Sequence, residues 1–312
     1  MFKDLRSEEP KRYRLKEFCT ARDLMEFLSP LNDDWLLGQY IFRGQGDSNY
    51  GLIPSACRIG ERAFAGRSPY RLFGTTSAEQ VDFELAILKG FLEGCDKAGL
   101  VVPGYSEKLK AQLDGEVGSI VERTVMWPPK DFYEVLATAQ HHGVPTRLLD
   151  WSRRSYVAAY FAGASASYEI TGRPEIAIWA LDTSTRKSWQ KIILIDPPGG
   201  TSKNLAAQSG VFTMQINSDL VQQQYTNVYL EDVDEIYAAM EFSAGPPLIK
   251  MTLPVEQVPE LMSLCSKFGV SGSTLFPGYE GVAKDVQEWA REKNGISYIM
   301  SQDELDNYNE GG

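Results

Sequence analysis

The chain has 312 residues, of which 43% are hydrophobic and 23% are charged, and its formal net charge is −11. This length and composition suit one large soluble domain or two modest ones. The negative charge argues against general adhesion to nucleic acid or to an anionic membrane, although it leaves a local basic groove open.

Membrane and metal-binding patterns are missing from the sequence. No stretch approaches the roughly 20 apolar residues of a membrane helix, and the charged first ten residues lack an apolar signal-peptide core. The four cysteines are scattered without the spacing of a disulfide scaffold or a zinc site. We therefore expect a reduced, cytoplasmic protein with no membrane contact and no metal site.

The first half of the chain is predicted to be mainly helical. A capping-box pattern opens a short amphipathic helix at residues 20–28, and a short strand at residues 39–44 ends at a glycine. A second capping-box pattern opens a long amphipathic helix from residue 77. Residues 132–139 form a short predicted helix that leads to the two histidines.

The second half is predicted to be strand-rich, with strands at residues 147–151, 175–181, 191–195, 210–216 and 248–253. Residues 156–164 are small and apolar almost all round, which predicts a buried helix. Another helix is predicted at residues 255–268, and the last one carries Val282, Val286 and Trp289 at helical spacing.

This order of elements predicts an α+β fold: one mixed domain with an N-terminal helical elaboration and a strand-rich C-terminal half. We place the domain at residues 20–295, after an extension at residues 1–19 and before an acidic tail at residues 296–312. The sequence does not predict an oligomeric state.

Both histidines of the chain, His141 and His142, are adjacent in the polar segment 140–152. Histidine is the side chain that most readily changes charge near neutral pH. Neighbouring side chains rarely point the same way, so at most one is expected to act as a general base, with Asp150 as a candidate to orient it. Asp150 or Ser152 can equally cap the helix that follows.

Arg43 ends the predicted strand directly before a flexible loop. Its guanidinium suits a phosphate or a carboxylate, and a structural ion pair with Asp150 is the alternative. A local basic patch, or alternatively a solvated charge cluster, is formed by Arg147, Arg153 and Arg154. The sequence contains neither a P-loop nor a GxSxG nucleophile elbow.

Three separated motifs together resemble the FRG domain, a family named after a Phe-Arg-Gly motif that is here residues 42–44. They are residues 40–45, residues 140–152 with the helix at 156–162, and residues 274–283; a weaker match is residues 207–212. The resemblance spans about residues 20–290. The family is common in bacteria and their phages, and membership alone does not fix an activity.

A looser resemblance is to ADP-ribosyltransferases, several of which order their site as a strand that ends in Arg or His, a Ser/Thr-rich strand followed by a small-residue helix, and a Glu-bearing strand. Arg43 matches the first element and residues 148–161 match the second. Gln208 stands where Glu is expected, which departs from the pattern, and Glu280 is an alternative source of a carboxylate. This resemblance implies a split sheet.

The two resemblances imply an enzyme that uses NAD as a substrate to modify a protein or nucleic acid, or that hydrolyses NAD, in conflict between bacteria and phages. The implied catalytic residues are Arg43, His141, His142 and Gln208. The implied binding residues are Gly44, Gln45, Thr146, Arg147, Asp150, Trp151, Ser152, Tyr160 and Glu280. Arg43 would hold the pyrophosphate, and Trp151 or Tyr160 would stack on a ring.

Two other functions stay open at this point. The same polar cluster can belong to a non-catalytic module that binds a nucleotide or a nucleic-acid end. It can also belong to a histidine-dependent hydrolase or nuclease, for which a bell-shaped pH profile and no need for NAD are expected.

Overall fold

The computed structural model describes residues 13–35, 39–58, 77–114, 127–168, 174–197, 203–216, 229–233 and 247–294. The strands are β1 (Arg14–Glu17), β2 (Tyr40–Gln45), β3 (Leu148–Ser152), β4 (Glu175–Asp182), β5 (Ile192–Ile195), β6 (Gly210–Gln215) and β7 (Leu248–Pro254). The helices are α1 (Ala21–Phe27), α2 (Ser77–Lys97), α3 (Glu107–Asp114), α4 (Tyr133–His141), α5 (Ser155–Tyr168), α6 (Lys203–Gln208), α7 (Val258–Lys267), α8 (Gly272–Leu275) and α9 (Tyr279–Asn294).

The strands form one mixed seven-stranded sheet in the order β1-β7-β4-β2-β3-β6-β5. The β1–β7 pair is parallel and the other pairs are antiparallel. Strand β4 shows why the sheet has two covered faces, because its successive side chains enter two different hydrophobic clusters. The α+β fold and the strand-rich C-terminal half are confirmed.

The backbone pairing is shortest between the two strands at the middle of the sheet. Strand β2 pairs with β4 along its whole length, and β3 pairs with β6 in the same way, but β2 and β3 pair only at Phe42 and Ser152. The strands therefore fall into a four-stranded half, β1-β7-β4-β2, and a three-stranded half, β3-β6-β5. The split sheet that we expected is thus a continuous sheet whose halves meet at one residue pair.

Helices α1, α5 and α7 pack on one face of the four-stranded half. Helix α5 is buried as predicted, with Ala158 and Ala162 at no more than 1% exposure. It lies directly against β2, since a Cβ atom on Gly44 would collide with the main chain of Ala158 and Ala162. Gly44 is therefore needed for the close approach of a helix.

Helices α2, α3 and α4 cover the three-stranded half and form the predicted N-terminal elaboration. A buried ion pair fastens them to the sheet: Arg147 donates to Glu84 of α2 from Nε at 2.6 Å and from Nη2 at 2.8 Å. Trp127 Nε1 also donates to Glu84, at 2.9 Å.

Some elements were not predicted. Strand β1 lies inside the stretch that we assigned to the N-terminal extension, and its charged side chains suit an edge strand. The short helices α6 and α8 were also missed. The predicted tail at residues 296–312 lies outside the described residues, and the domain boundaries stay a prediction. Within the described ranges, no helix is both long enough and apolar enough to cross a membrane.

Candidate active-site cleft

A cleft of about 690 Å³ opens where the two halves of the sheet meet. Nine of the thirteen predicted site residues line its wall, and the wall as a whole draws on β2, β3, α4, α5, α6 and the start of α9. The lining residues are Phe42, Arg43, Gly44, Gln140, His141, His142, Asp150, Trp151, Ser152, Ala158, Phe161, Ser165, Asn204, Gln208, Phe276 and Glu280. The structure thus brings Arg43 and the histidine segment to one place.

Arg43 spans the gap where the pairing of β2 and β3 ends. Its Nη1 donates to the main-chain oxygen of Asp150 at 2.8 Å and lies 3.5 Å from the Asp150 carboxylate. Burial lowers the pKa of Arg43 from its ordinary value, and Asp150 opposes that shift. The buried Nε has no hydrogen-bond partner among the described residues. An unsatisfied buried donor in a cleft wall is a position where a ligand oxygen can bind.

Gln140, at the end of α4, fixes the orientation of Asp150. Its Nε2 donates to Asp150 Oδ2 at 2.8 Å, and its Oε1 accepts from Thr146 Oγ1 at 2.7 Å. Gln140 was not among the predicted site residues, although it opens the motif at residues 140–152. Asp150 does not cap α5, because its carboxylate faces Gln140 and Arg43.

The two histidines end helix α4, and their ring centroids are 5.1 Å apart at an interplanar angle of 75°. The two rings are in edge-to-face contact, and the His142 ring also stacks on Phe91 at 6.4 Å. Burial, followed by the nearby His142, lowers the pKa of His141, while Asp150 and Glu280 raise it. His141 is therefore neutral at pH 7, which is the form that accepts a proton.

Ser152 and Gln208 form the floor of the cleft. Ser152 Oγ donates to the Gln208 carbonyl at 2.7 Å and accepts from the Arg154 amide at 2.9 Å, at the entrance to α5. The side-chain amide of Gln208 donates from Nε2 to the Leu275 carbonyl at 3.2 Å. Gln208 therefore connects α6 to α8 while it lines the cleft.

Glu280 lies at the rim of the cleft, in the first turn of α9. Its carboxylate side chain is 75% exposed and lies 3.6 Å from Lys284. It supplies a second carboxylate to the cleft besides Asp150.

Four predicted binding residues do not line the cleft. Gln45 is buried against Trp179 and Gly51, and Thr146 is buried behind Gln140. Arg147 forms its buried ion pair with Glu84, and the Tyr160 hydroxyl donates to Glu288 at 2.6 Å. The structure therefore does not bring these four residues to the cleft, and it places them in contacts within the fold.

The predicted aromatic contact also changes. Trp151 belongs to the wall, but the residue is only 4% exposed and its indole donates to Thr213 at 2.8 Å, so its ring is not offered to a ligand. Phe161 and Phe276 line the cleft instead, with ring centroids 6.1 Å apart. Both lie inside the motifs that resemble the FRG domain, Phe161 in residues 156–162 and Phe276 in residues 274–283, and that position was the available signal in the sequence.

The expected basic patch is largely neutralised. Arg153 makes a two-point ion pair with Asp196 at 3.1 and 2.9 Å, and Arg154 donates to the Ala207 carbonyl. With Arg147 paired to Glu84, Arg43 is the arginine of the described residues that faces the cleft.

A family model of the FRG domain matches residues 38–169. This stretch contains Arg43, the histidine segment and α5, and it is shorter than the 20–290 range over which the motifs resemble the family. No curated protein and no solved structure matches the chain. The chain therefore carries an FRG domain over residues 38–169.

Proposed function

We propose that the FRG domain binds NAD in the cleft and transfers ADP-ribose to a macromolecule or to water. The observation that carries this proposal is Arg43, which lines the cleft and whose buried Nε has no hydrogen-bond partner within the part of the chain that the structure describes. The volume of about 690 Å³ lies within the range of nucleotide-sized pockets. A guanidinium with a free donor is well suited to the oxygens of a pyrophosphate.

The order of the strands supports the same function. Strand β2 with Arg43, strand β3 with the alanine-rich α5 after it, and strand β6 with Gln208 before it are neighbours in the sheet. This is the succession in which ADP-ribosyltransferases present their site residues.

The residues of the cleft have defined roles in this reaction. The bond between nicotinamide and the ribose carbon breaks, and nicotinamide leaves with the electron pair. The carboxylates of Asp150 and Glu280 stabilise the positive charge that develops on the ribose. The acceptor oxygen or nitrogen then bonds to that carbon, and its proton passes to neutral His141. Phe161 and Phe276 offer apolar surface to one of the rings.

The test is release of nicotinamide from NAD, with and without cell extract, by the wild type, Arg43→Ala and Arg153→Ala. Arg153 is a matched control because it is an arginine paired outside the cleft. We expect release by the wild type and the control, and a loss of at least about 100-fold in Arg43→Ala, the scale reported for losing one oxyanion-stabilising donor. Calorimetric titration with NAD separates binding from turnover. Binding without release would leave a non-catalytic nucleotide-binding module.

A second candidate rests on His141. A neutral histidine beside Asp150 in an open cleft can act as the base in hydrolysis of a phosphodiester. Hydrolysis of a nucleic acid without NAD, with a bell-shaped pH profile whose acid limb is lost in His141→Gln, would favour this function over ADP-ribosyl transfer.

A further inference from the structure

The side-chain amide of Gln140 has a donor end and an acceptor end, and only one of them suits Asp150. The structure sets the donor end against the carboxylate, since Nε2 of Gln140 donates to Asp150 Oδ2 at 2.8 Å. A carboxylate only accepts hydrogen bonds, so the reversed amide would bring its carbonyl oxygen against a second acceptor. The position of Asp150 therefore depends on the group that holds the other end of the amide.

That group is the hydroxyl of Thr146. It accepts from the Leu148 amide at 3.0 Å and donates to Gln140 Oε1 at 2.7 Å. The Leu148 amide can only donate, so the single hydroxyl proton of Thr146 is available for Gln140. Thr146 thereby decides which end of the Gln140 amide faces Asp150.

Thr146 is itself held in place by the short turn Ser55–Cys57 that follows β2. The residue is buried, and its amide donates to Ser55 Oγ at 3.1 Å. Its carbonyl accepts from Ser55 Oγ at 3.3 Å and from the Ala56 amide at 3.0 Å. These three contacts fix the backbone from which the hydroxyl is directed at Gln140.

We propose that Thr146 is a positioning residue of the candidate site: through the Gln140 amide, its hydroxyl holds the Asp150 carboxylate where that carboxylate stabilises the charge on the ribose. The role of Asp150 in this statement rests on the proposed function. Thr146 does not line the cleft, so it acts without touching the ligand. Its loss should therefore lower the turnover number and leave the KM for NAD unchanged, because Arg43 still binds the pyrophosphate.

Two substitutions at the same position separate the hydroxyl from the shape of the side chain. Thr146→Val keeps the branched shape without the hydroxyl, and Thr146→Ser keeps the hydroxyl. We expect nicotinamide release at saturating NAD to fall by roughly 100-fold in Thr146→Val, the scale for misplacing a group by about 1 Å. Thr146→Ser should release nicotinamide at the wild-type rate. Circular dichroism confirms that both variants keep the fold.

Thr183→Val is the matched control for the loss of a buried hydroxyl. The Thr183 hydroxyl also donates at 2.7 Å, to the Gln39 carbonyl, and the residue is buried outside the lining of the cleft. This variant should release nicotinamide like the wild type. A fall equal to that of Thr146→Val would show that any buried hydroxyl has the same effect, and it would overturn the proposal.

A second measurement needs no NAD, namely the titration of His141 by NMR. Burial and His142 lower the pKa of His141, while Asp150 and Glu280 raise it. The pKa of His141 therefore reports on the place of the Asp150 carboxylate.

The titration of the variants has a definite direction. Without the hold from Gln140, the Asp150 carboxylate should move towards Arg43, from which it is 3.5 Å away, and away from the end of α4. We therefore expect the pKa of His141 to be lower in Thr146→Val than in the wild type, and unchanged in Thr146→Ser.

The outcomes separate this proposal from the use of NAD. A wild type that releases no nicotinamide refutes the proposed reaction, and the His141 titration then decides whether Thr146 positions Asp150. Equal pKa values of His141 in Thr146→Val and the wild type overturn the positioning role. Equal losses of release in the valine and serine variants also overturn it, as does a raised KM with an unchanged turnover number.

Discussion

The Arg43 guanidinium donates from Nη1 to the main-chain oxygen of Asp150 at 2.8 Å. Strands β2 and β3 pair through their backbones only at Phe42 and Ser152, so this side chain makes a second link between the halves of the sheet. The residue that the motif places in the candidate site is also a residue that holds the sheet together.

Replacement of Arg43 by lysine should weaken that link. A lysine keeps the charge, but its ammonium on a flexible chain does not reproduce the planar guanidinium, whose Nη1 contacts both the carbonyl and the carboxylate of Asp150. We expect the free energy of unfolding to fall by about 1.5–3 kcal/mol, the range for a hydrogen bond to a charged group. Urea denaturation measures the change. Arg153→Lys, at an exposed pair, should change it by less than about 1 kcal/mol; equal effects would contradict the role of Arg43 in the sheet.

Gly44→Ala should be strongly destabilising. The added methyl group would meet the main chain of α5 at Ala158 and Ala162, which cannot move aside as a flexible side chain can. We expect a loss of at least about 3 kcal/mol, the upper end for an overpacked core. Gly90→Ala is the control, since a Cβ atom there meets nothing within 4 Å, and it should gain about 0.5–1 kcal/mol. Thermal and urea unfolding measure the stability of both variants. A Gly44→Ala variant as stable as the wild type would contradict the close approach of α5 to β2.

Glu84→Gln should detach the helical elaboration from the sheet. It leaves the Arg147 guanidinium buried without its counter-charge, which costs about 3–5 kcal/mol. Asp131→Asn breaks an exposed pair of 2.8 Å with Lys108 and should cost less than about 1 kcal/mol. Comparable denaturation midpoints for the two variants would show that burial of the Glu84 pair is unimportant.

The titration of His141 can be followed by NMR, because the chain has only two histidines. We expect the pKa of His141 to lie below its ordinary value of 6.5, since burial and His142 both disfavour the charged ring. His142→Gln should raise the pKa, and Asp150→Asn should lower it further. A His141 midpoint above 6.5 in the wild type would refute this assignment.

The same shift affects stability. The unfolded chain binds the proton of His141 at a higher pH than the folded chain does, so its contribution to stability falls as the pH drops through 6.5. Unfolding by urea on both sides of that pH should show a smaller loss in His141→Gln than in the wild type.

The sequence predicted well the elements whose pattern is local. The short apolar run of β4 and the small apolar residues of α5 each indicate a strand or a helix within one stretch of chain. Arg43 and the 140–152 segment meet because their strands are neighbours in the sheet, which the family resemblance indicated.

The missed assignments depend on partners far away in the chain. Arg147 pairs with Glu84, 63 residues earlier, and Tyr160 bonds to Glu288, 128 residues later. No local pattern distinguishes such residues from ligand contacts. Helix α9 shows a related limit, because periodicity reveals an apolar face but does not say that the face is exposed, as it is at Val286.

The join between β2 and β3 has fewer backbone pairs than any other place in the sheet. One backbone pair and the Arg43 side chain link the two halves there, and a hydrophobic cluster that contains Ile41 of β2 and Trp151 of β3 packs across the join. Amide hydrogens at the β2–β3 seam should consequently exchange with solvent sooner than those within either half. A ligand that contacts both walls of the cleft would link the two halves of the sheet. Its binding should therefore slow the exchange of the amide hydrogens at the β2–β3 seam.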